Sequence, residues 1–192
     1  MPIDNQPRIP GLAAGTAAAR RALPEDYRDL MSAFPTGVAV VTSMDSSGQP
    51  RGMTCSSLSS VTLAPPTLLV SLRTDSATLG AVRHHGGFAV NLLHARGRAA
   101  ATLFSSAAQD RFSRVRWHPS RSGLPWLVAD AFALADCTVS GMAEVGDHTV
   151  VFGAVEEVIM AHDTPLLYGM RRFSAPCTDS CLRQRTNGPG AR

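Results

Sequence analysis

The chain has 192 residues, of which 44% are hydrophobic and 17% are charged. These values suit one globular domain that folds without disulfide bonds, and they exclude a mini-protein, a collagenous chain and a wholly disordered chain. The net charge is only +3, and all 18 basic residues are arginines scattered along the chain. Because nucleic-acid binders concentrate positive charge, we expect no nucleic-acid partner, and the lack of lysine excludes a Schiff-base or P-loop lysine.

The cysteines and the apolar segments indicate the cellular compartment of the protein. Cys55, Cys137, Cys177 and Cys181 are too sparse and too irregularly spaced for a disulfide framework or a zinc or thioredoxin-type motif. No apolar run is long enough to span a membrane, and the N-terminal residues lack the apolar segment of a secretory signal. We therefore expect a cytoplasmic protein without a membrane segment.

Three segments organise the chain. Residues 1–23 are rich in proline, glycine and alanine and predict a flexible arm, residues 24–175 form one domain, and residues 176–192 predict a flexible tail. Pro24 begins a predicted amphipathic helix that ends at Pro35. The apolar face of this helix consists of Tyr27, Leu30, Met31 and Phe34.

After this helix the pattern changes to that of strands. Strands are predicted at 38–42, 51–60, 68–72, 88–93, 133–144, 148–160 and 166–170. Helices are predicted at 76–85 and 95–112, and a loop at 113–125. About six strands interrupted by short helices favour a mainly β fold, a barrel with helical insertions, over alternating βαβ units.

Most familiar catalytic signatures are missing from the sequence. It has no G-x-S-x-G, H-E-x-x-H or G-x-x-x-x-G-K pattern, and no G-x-G-x-x-G after the first strand. The six histidines are dispersed, and His84 and His85 diverge on a predicted helix, so we expect no metal site.

Three short segments are candidates for a binding site. Residues 52–61 (GMTCSSLSSV) present a row of small hydroxyl side chains that could hydrogen-bond a flat heterocycle, or they form an ordinary polar edge strand. Residues 75–78 (DSAT) open a helix, where free amides favour an anion such as a phosphate, or they simply cap it. Residues 146–148 (GDH) form a tight turn followed by a histidine that could face a cofactor or substrate, or be incidental.

Taken in order, these and other motifs resemble the flavin reductase family, the small NAD(P)H-dependent components of two-component flavin monooxygenases. The resemblance extends over about residues 27–174. The matching motifs are FPTGVAVVT at 34–42, GMTCSSLSSV at 52–61 followed by Pro65-Pro66, FAVN at 88–91, DRF at 110–112, GDH at 146–148 and GAV at 153–155.

The resemblance implies an FMN-binding split β-barrel that forms a homodimer and holds flavin in a groove near the subunit interface. By position, the isoalloxazine edge would be lined by Thr54, Cys55, Ser56 and Ser57. The ribityl phosphate would be approached by Ser71, Ser76 and Thr78. Arg111 and Phe112 would lie close to the nucleotide, and His148, the catalytic candidate, beside the nicotinamide or flavin ring.

Three departures from the family pattern are visible. Cys55 stands where a small residue such as alanine is common, and we interpret it as a small hydrophobe. A lysine that often contacts the phosphate is replaced by Arg111, by Arg51 or by backbone amides. Gly169, in the segment 168–173, replaces a larger residue.

The implied activity is hydride transfer from NADH or NADPH to FMN or FAD, and we expect the reduced flavin to pass by diffusion to a flavin-dependent monooxygenase. Such a reaction needs no strong acid or base, because the two cofactors carry the chemistry. Two alternatives stay open: a non-catalytic split-barrel protein that binds flavin, deazaflavin or haem, and an oxidase of the pyridoxamine-phosphate type.

Overall fold

Prolines and glycines separate the apolar runs of this chain, and in the computed structural model most of these runs are helices or strands. The structure describes residues 21–176, so most of the predicted arm and nearly all of the predicted tail lie outside the described residues. The chain divides into two compact units, Met1–Met31 and Ser32–Arg192. No helix of the described part is long and apolar enough to cross a membrane.

Three α-helices and twelve strands are described. The helices are α1 (Pro24–Ala33), α2 (Ala77–His85) and α3 (Arg98–Ser105), with short 3-10 helices at Ala95–Gly97 and Arg111–Arg114. The strands are β1 (Thr36–Gly37), β2 (Ala39–Met44), β3 (Pro50–Cys55), β4 (Ser59–Leu63), β5 (Pro66–Arg73), β6 (Gly87–Leu93), β7 (His118–Pro119), β8 (Pro125–Trp126), β9 (Ala131–Val145), β10 (His148–Met160), β11 (Leu167–Gly169) and β12 (Arg172–Ser174).

The largest sheet has seven antiparallel strands in the order β3-β2-β6-β9-β10-β5-β4. Its edge strands β3 and β4 are consecutive in the chain, so the Cα atoms of Cys55 and Ser59 cannot be more than about 14 Å apart. The sheet must therefore curl until its edges lie close together. Because β3 and β4 are not hydrogen-bonded neighbours, the barrel stays open along this seam. The fold is mainly β with helical insertions, as predicted.

Strand β2 is buried on both faces, because two apolar clusters meet on it. Ala39 and Val41 belong to the cluster that fills the barrel, which α2 joins through Leu79 and Val82. On the opposite face, Val40 packs in a second cluster with Phe104 and other residues of α3. Both helices are thus fixed against the same strand, and their ends lie close to β3.

Two predicted elements are divided in the structure. The strand predicted at 51–60 is interrupted at 56–58 and continues as β4, which pairs with β5 rather than with β2. The helix predicted at 95–112 is a 3-10 turn, then α3, and then a loop that ends in a second 3-10 helix. The alanine-rich composition of that stretch allowed a longer helix, but only Ala100, Ala101 and Phe104 of α3 find a buried environment.

The short amphipathic helix predicted from Pro24 is present as α1. The helix begins at Pro24 as expected and has acidic residues in its first turn, but none of its residues is buried. Tyr27 and Leu30 are 61% and 68% exposed. Helical spacing specifies which side chains share a face, but it does not specify what covers that face.

Candidate functional site

Two cavities flank β3 in the unit that begins at Ser32. The first, here called the helix cavity, has a volume of about 570 Å³ and lies between β3, the start of α2 and the end of α3. The second, here called the arginine cavity, has a volume of about 450 Å³ and lies between β3, the exposed face of α3 and the β11–β12 hairpin. Thr54 and Ser105 line both cavities, so the two sites meet at these residues.

The start of α2 forms one wall of the helix cavity. The Ser76 hydroxyl caps the helix, since its Oγ accepts a hydrogen bond from the Leu79 amide at 3.2 Å and donates one to the Arg73 carbonyl at 2.8 Å. The capping interpretation of residues 75–78 is therefore confirmed, and it is compatible with anion binding. The amides of Ala77 and Thr78 have no helical acceptors, and Thr78 is buried against the cavity at 4% exposure.

Arg111 forms the opposite wall. Its Nη1 donates to the Gly52 carbonyl at 2.8 Å, and its Nη2 donates to the Ser106 carbonyl. Its Nε is buried and has no hydrogen-bond partner among the described residues. The guanidinium is thus rigidly held while one of its donors is unsatisfied, which is the arrangement expected of a group that awaits an acceptor.

The aromatic ring of Phe112 supports this wall from behind. It packs edge to face on Phe104, with ring centroids 5.1 Å apart, and on Trp117, with centroids 5.9 Å apart. Phe112, Arg111 and Thr78 also line a smaller adjoining hollow of about 150 Å³. Arg51, the other arginine considered for the phosphate, lines this hollow as well, but its Nε is paired with Asp45 at 2.7 Å.

The hydroxyl row of residues 52–61 faces two directions. Thr54 is half-buried at the junction of the cavities, and its hydroxyl donates to the Ala101 carbonyl at 2.6 Å, which fixes β3 to α3. Ser56 is exposed and lines the arginine cavity. Thr54 and Ser56 therefore both line a cavity, and their contact with the isoalloxazine ring stays a prediction.

Cys55, Ser57 and Ser71 line neither cavity and instead fasten the open edge of the barrel. The Ser57 hydroxyl donates to the Ser71 carbonyl and accepts from the Ser71 amide, both at 3.0 Å. The Cys55 thiol lies 3.1 Å from the same hydroxyl and is otherwise part of the apolar core. Ser57 therefore holds the chain leaving β3 against β5, across the seam where the ladder is interrupted.

The thiols of the two described cysteines, Cys55 and Cys137, are expected to be unreactive in the folded protein. Burial raises the pKa of the Cys55 thiol, and burial together with the nearby Asp136 charge raises the pKa of Cys137 to about 12. Both thiols stay protonated at neutral pH, and the thiolate is the reactive form. The interpretation of Cys55 as a small hydrophobe agrees with this environment.

His148 begins β10 immediately after a two-residue turn. Gly146 in that turn has φ +61°, a conformation that glycine adopts without strain. The His148 ring nitrogen Nδ1 lies 2.8 Å from the Asp147 carboxylate, and this hydrogen bond and the imidazole charge lower the pKa of Asp147. His148 lines neither cavity, but its backbone lies opposite Arg73, which does line the helix cavity.

Sequence reasoning missed several charged residues at the site. Arg73 lines the helix cavity and is paired through two hydrogen bonds, at 3.0 and 2.7 Å, with Asp75. Arg98, Arg171 and Arg172 line the arginine cavity. The adjacent pair Arg171-Arg172 is visible in the sequence, but its proximity to Arg98 exists only in the folded chain.

Gly169 has a packing reason that the sequence does not reveal. A Cβ at this position would lie 3.1 Å from both Cα and Cβ of Pro35. The close approach of β11 to the segment before β1 therefore explains the small residue. Among the described residues, no group of three histidine, cysteine or acidic side chains could hold a metal ion.

Comparisons with known proteins agree with this geometry. The family model described as "Flavin reductase like domain" matches residues 31–176. A flavin reductase (NADPH) of Lentzea aerocolonigenes is 61% identical over 150 residues, which cover 78% of this chain and 88% of that protein. The reductase subunit HsaB of a flavin-dependent monooxygenase of Mycobacterium tuberculosis is 34% identical over 148 residues, covering 76% of this chain and 78% of that protein.

A solved structure is similar over most of its length. The NADH:FAD oxidoreductase of Streptomyces globisporus, in complex with NAD and FAD fragments, superposes with a TM-score of 0.77 at 34% identity. The match covers 84% of this chain and 99% of that one. Sequence and fold thus point to the same group of proteins.

Proposed function

The chain belongs to the flavin reductase family, and from that premise we propose that it catalyses the NAD(P)H-dependent reduction of FMN or FAD and supplies the reduced flavin to a partner monooxygenase. It is an NAD(P)H:flavin oxidoreductase. The observation that carries this function is the helix cavity, which is lined by the N-terminus of α2, by Arg111 with its unsatisfied Nε and by the hydroxyl-bearing strand β3.

The residues present fit a flavin nucleotide. Its phosphate would be held by the amides of Ala77 and Thr78, the Thr78 hydroxyl and the Nε of Arg111, which need no lysine. Its ring would lie along β3 near Thr54 and Ser56. When bound, flavin supplies the hydride acceptor and a nicotinamide supplies the donor.

The chain's own contribution is positional. Thr54 is locked to α3 by its hydrogen bond to Ala101, and Arg111 is locked by two carbonyls, so both keep their places whether or not a ligand is bound. A preorganised site does not have to order these side chains on binding. Cys55, Ser57 and Ser71 would act indirectly, by shaping the edge of the barrel against which the ring would rest.

We propose His148 as the catalytic residue that would act beside the nicotinamide or flavin ring, because its backbone lies opposite Arg73 of the helix cavity. The Asp147 carboxylate fixes the orientation of the imidazole through Nδ1, which directs the other ring nitrogen away from the turn. We assign Asp147 a positioning role, because it would act on the reaction only through His148.

Reduced flavin is a product in this scheme and must leave on each cycle. We therefore expect flavin affinity near the micromolar range, about 8 kcal/mol, since slower dissociation would limit turnover. Transfer to the monooxygenase then proceeds by diffusion, from a homodimer in the cytoplasm.

The test is an assay of purified protein with NADH or NADPH and added FMN or FAD, followed at the nicotinamide absorbance band. The reductase should oxidise the nucleotide only when flavin is present. No oxidation above the enzyme-free rate with any of the four combinations would exclude the reductase and leave a flavin, deazaflavin or haem carrier. The same four rates identify the preferred flavin and nucleotide.

Diffusive transfer has a separate test. Reductase and monooxygenase are placed on opposite sides of a membrane that passes only small molecules, at low oxygen concentration. Hydroxylation should continue at a reduced rate. If it stops while the mixed sample remains active, transfer requires contact between the two proteins.

A further inference from the structure

The arginine cavity is not needed to hold a flavin phosphate, yet it is the more strongly basic of the two cavities. Three of its ten lining residues are arginines, Arg98, Arg171 and Arg172, and none is acidic. Within residues 21–176 the ion pairs described do not include Arg98 or Arg172, whereas Arg73 in the helix cavity is neutralised by Asp75. The guanidinium groups of Arg98 and Arg172, for which no ion pair is described, favour a ligand with concentrated negative charge in this cavity.

Aromatic rings accompany these charges. The guanidinium carbon of Arg98 lies 5.7 Å from the centre of the Phe173 ring, and Phe173 packs edge to face on Tyr168 with centroids 5.2 Å apart. The Arg98 side chain is therefore positioned by a cation–π contact rather than by a carboxylate, which leaves its hydrogen-bond donors for a ligand. Aromatic rings next to arginines also suit a purine base.

The hairpin that brings these residues together has unusual backbone geometry. Its turn residues Met170 and Arg171 have φ of +50° and +60°, although neither is glycine or asparagine. Two-residue hairpin turns with this geometry ordinarily use Asn-Gly or Asp-Gly, so a bulky pair here costs conformational energy. This turn places Arg171 in the lining of the cavity.

The position of the cavity restricts its ligand. The helix cavity accounts for the flavin phosphate, and the two cavities meet at Thr54 and Ser105. A nicotinamide nucleotide that reaches the flavin ring at this junction would extend its other end toward Arg98 and Arg172. NADPH differs from NADH at that end by a single 2′-phosphate, a concentrated charge that arginines recognise well.

We infer that the arginine cavity binds the 2′-phosphoadenosine end of NADPH, and that Arg98 and Arg172 determine selectivity for NADPH over NADH. This inference rests on the proposed function, because it names the electron donor of the same reaction. Arg171 adds charge to the cavity, and the Tyr168–Phe173 pair offers an apolar edge to the adenine.

The kinetic test uses Arg98→Gln, Arg172→Gln and the double variant, with rates measured for NADPH and NADH at saturating FMN. The ratio of kcat/KM for NADPH to that for NADH should fall about tenfold in each single variant and further in the double variant. Arg116→Gln is the matched control, because Arg116 is exposed and lines none of the cavities described. Its ratio should equal that of the unmodified protein.

A binding measurement removes the dependence on turnover. In isothermal titration, adenosine 2′,5′-bisphosphate should bind about tenfold more weakly to Arg98→Gln than to the unmodified protein. The probe 5′-AMP should bind weakly, and with equal affinity, to the two proteins. Thermal unfolding of each variant confirms that it is folded. Equal affinity of the unmodified protein for the two probes, or an unchanged nucleotide ratio in the double variant, overturns the inference.

Two other outcomes have distinct meanings. A fall in the rate with FAD relative to FMN, at unchanged NADPH selectivity, assigns the cavity to the ADP half of FAD and also overturns the inference. Absence of flavin-dependent oxidation with either nucleotide refutes the proposed function, whereas the titration still reports on the cavity.

Discussion

Arg111 stabilises the fold with two of its nitrogens and has a third nitrogen that could bind a ligand. Two of its nitrogens join β3 to the loop after α3, and the third nitrogen, Nε, is buried without an acceptor among the described residues. A buried unsatisfied donor is unfavourable by about 1 to 3 kcal/mol. A bound phosphate oxygen would remove that penalty and would face the helix amides at the same time.

Thr78→Ala tests the phosphate site directly. We expect it to weaken FMN binding by about 1 to 2 kcal/mol, the usual size of a lost hydrogen bond to a charged acceptor. Binding of riboflavin, which has no phosphate, should not change, and both affinities can be measured by quenching of flavin fluorescence. Thr138→Ala is the control, since Thr138 is exposed on β9 and lines no described cavity. Equal losses for FMN and riboflavin would place the phosphate elsewhere.

His148 and Asp147 should behave as one unit. His148→Ala should lower kcat/KM for the nicotinamide nucleotide about tenfold while leaving Tm nearly unchanged, because the side chain is 43% exposed and makes few packing contacts. Asp147→Asn should lower it less, because the ring stays present but is less well oriented.

The double variant separates this coupling from two independent effects. It should be close to His148→Ala alone, since the Asp147 carboxylate is hydrogen-bonded to the imidazole. Multiplied losses, or a His148→Ala protein that is less stable but fully active, would assign both residues to the turn.

The thiols give a further expectation at the residue scale. In a Cys177→Ser/Cys181→Ser protein, which removes the tail cysteines, Cys55 and Cys137 should resist alkylation by maleimide at pH 8 until the protein unfolds. Their raised pKa values keep them protonated, and burial blocks access. Rapid modification of the native protein would show that the seam at residues 56–58 opens readily.

At the scale of elements, the closeness of β6, β9 and β10 depends on Gly153. A Cβ at this position would lie 2.5 Å from the ring of Phe88 and 2.8 Å from Cβ of Cys137, both in the apolar core. Because Phe88 is fully buried, it cannot move aside without disturbing the barrel. Gly153→Ala should therefore destabilise the protein by about 1 to 3 kcal/mol.

Urea unfolding measures this effect, and Gly141→Ala is its control. Gly141 lies on β9 in the same sheet, and a Cβ there would lie 3.7 Å from the Phe152 ring, an ordinary contact. That variant should unfold close to the unmodified protein. If both variants are equally stable, the core around Phe88 relaxes more easily than its close packing indicates.

At the scale of the whole molecule, the described chain leaves large apolar side chains exposed at strand ends. Leu63 in β4 is 87% exposed, and Val158 and Met160 at the end of β10 are 60% and 69% exposed. Isolated exposed apolar residues are common, but several on strands separated only by β5 favour association with a second copy. We expect light scattering at micromolar concentration to give the mass of a dimer, and a clean monomer would contradict this.

The purified protein should also be pale or colourless. A flavin that dissociates on each cycle is lost during purification, so activity should depend on added flavin. Flavin that stays bound through repeated gel filtration would show that it is a resident cofactor rather than a diffusible product.

The sequence predicts the secondary-structure elements of this protein better than it predicts the candidate site. Local patterns predict the bounds of α2, β6 and β10 to within one residue, because each begins or ends at a capping, glycine or turn residue. The same patterns join β3 to β4, because nothing in the hydroxyl row marks the point where the chain changes partners. They also predict that Cys55, Ser56 and Ser57 line one surface. In the fold, Cys55 lies in the core, Ser56 lines the arginine cavity and Ser57 is hydrogen-bonded to β5.

The sequence by itself determines the mainly β character, the helix N-terminus at Ser76 and the histidine after the Gly146 turn, since these depend on local residue patterns. It also determines the family, which is identified from the order of the motifs. Only the tertiary structure decides that α1 has no buried residue, that Arg111 keeps one donor unsatisfied and that Arg98 meets Arg172 beside Phe173. These features join residues far apart in the chain. Their distances are set by how the curled sheet closes, and no local spacing encodes that closure.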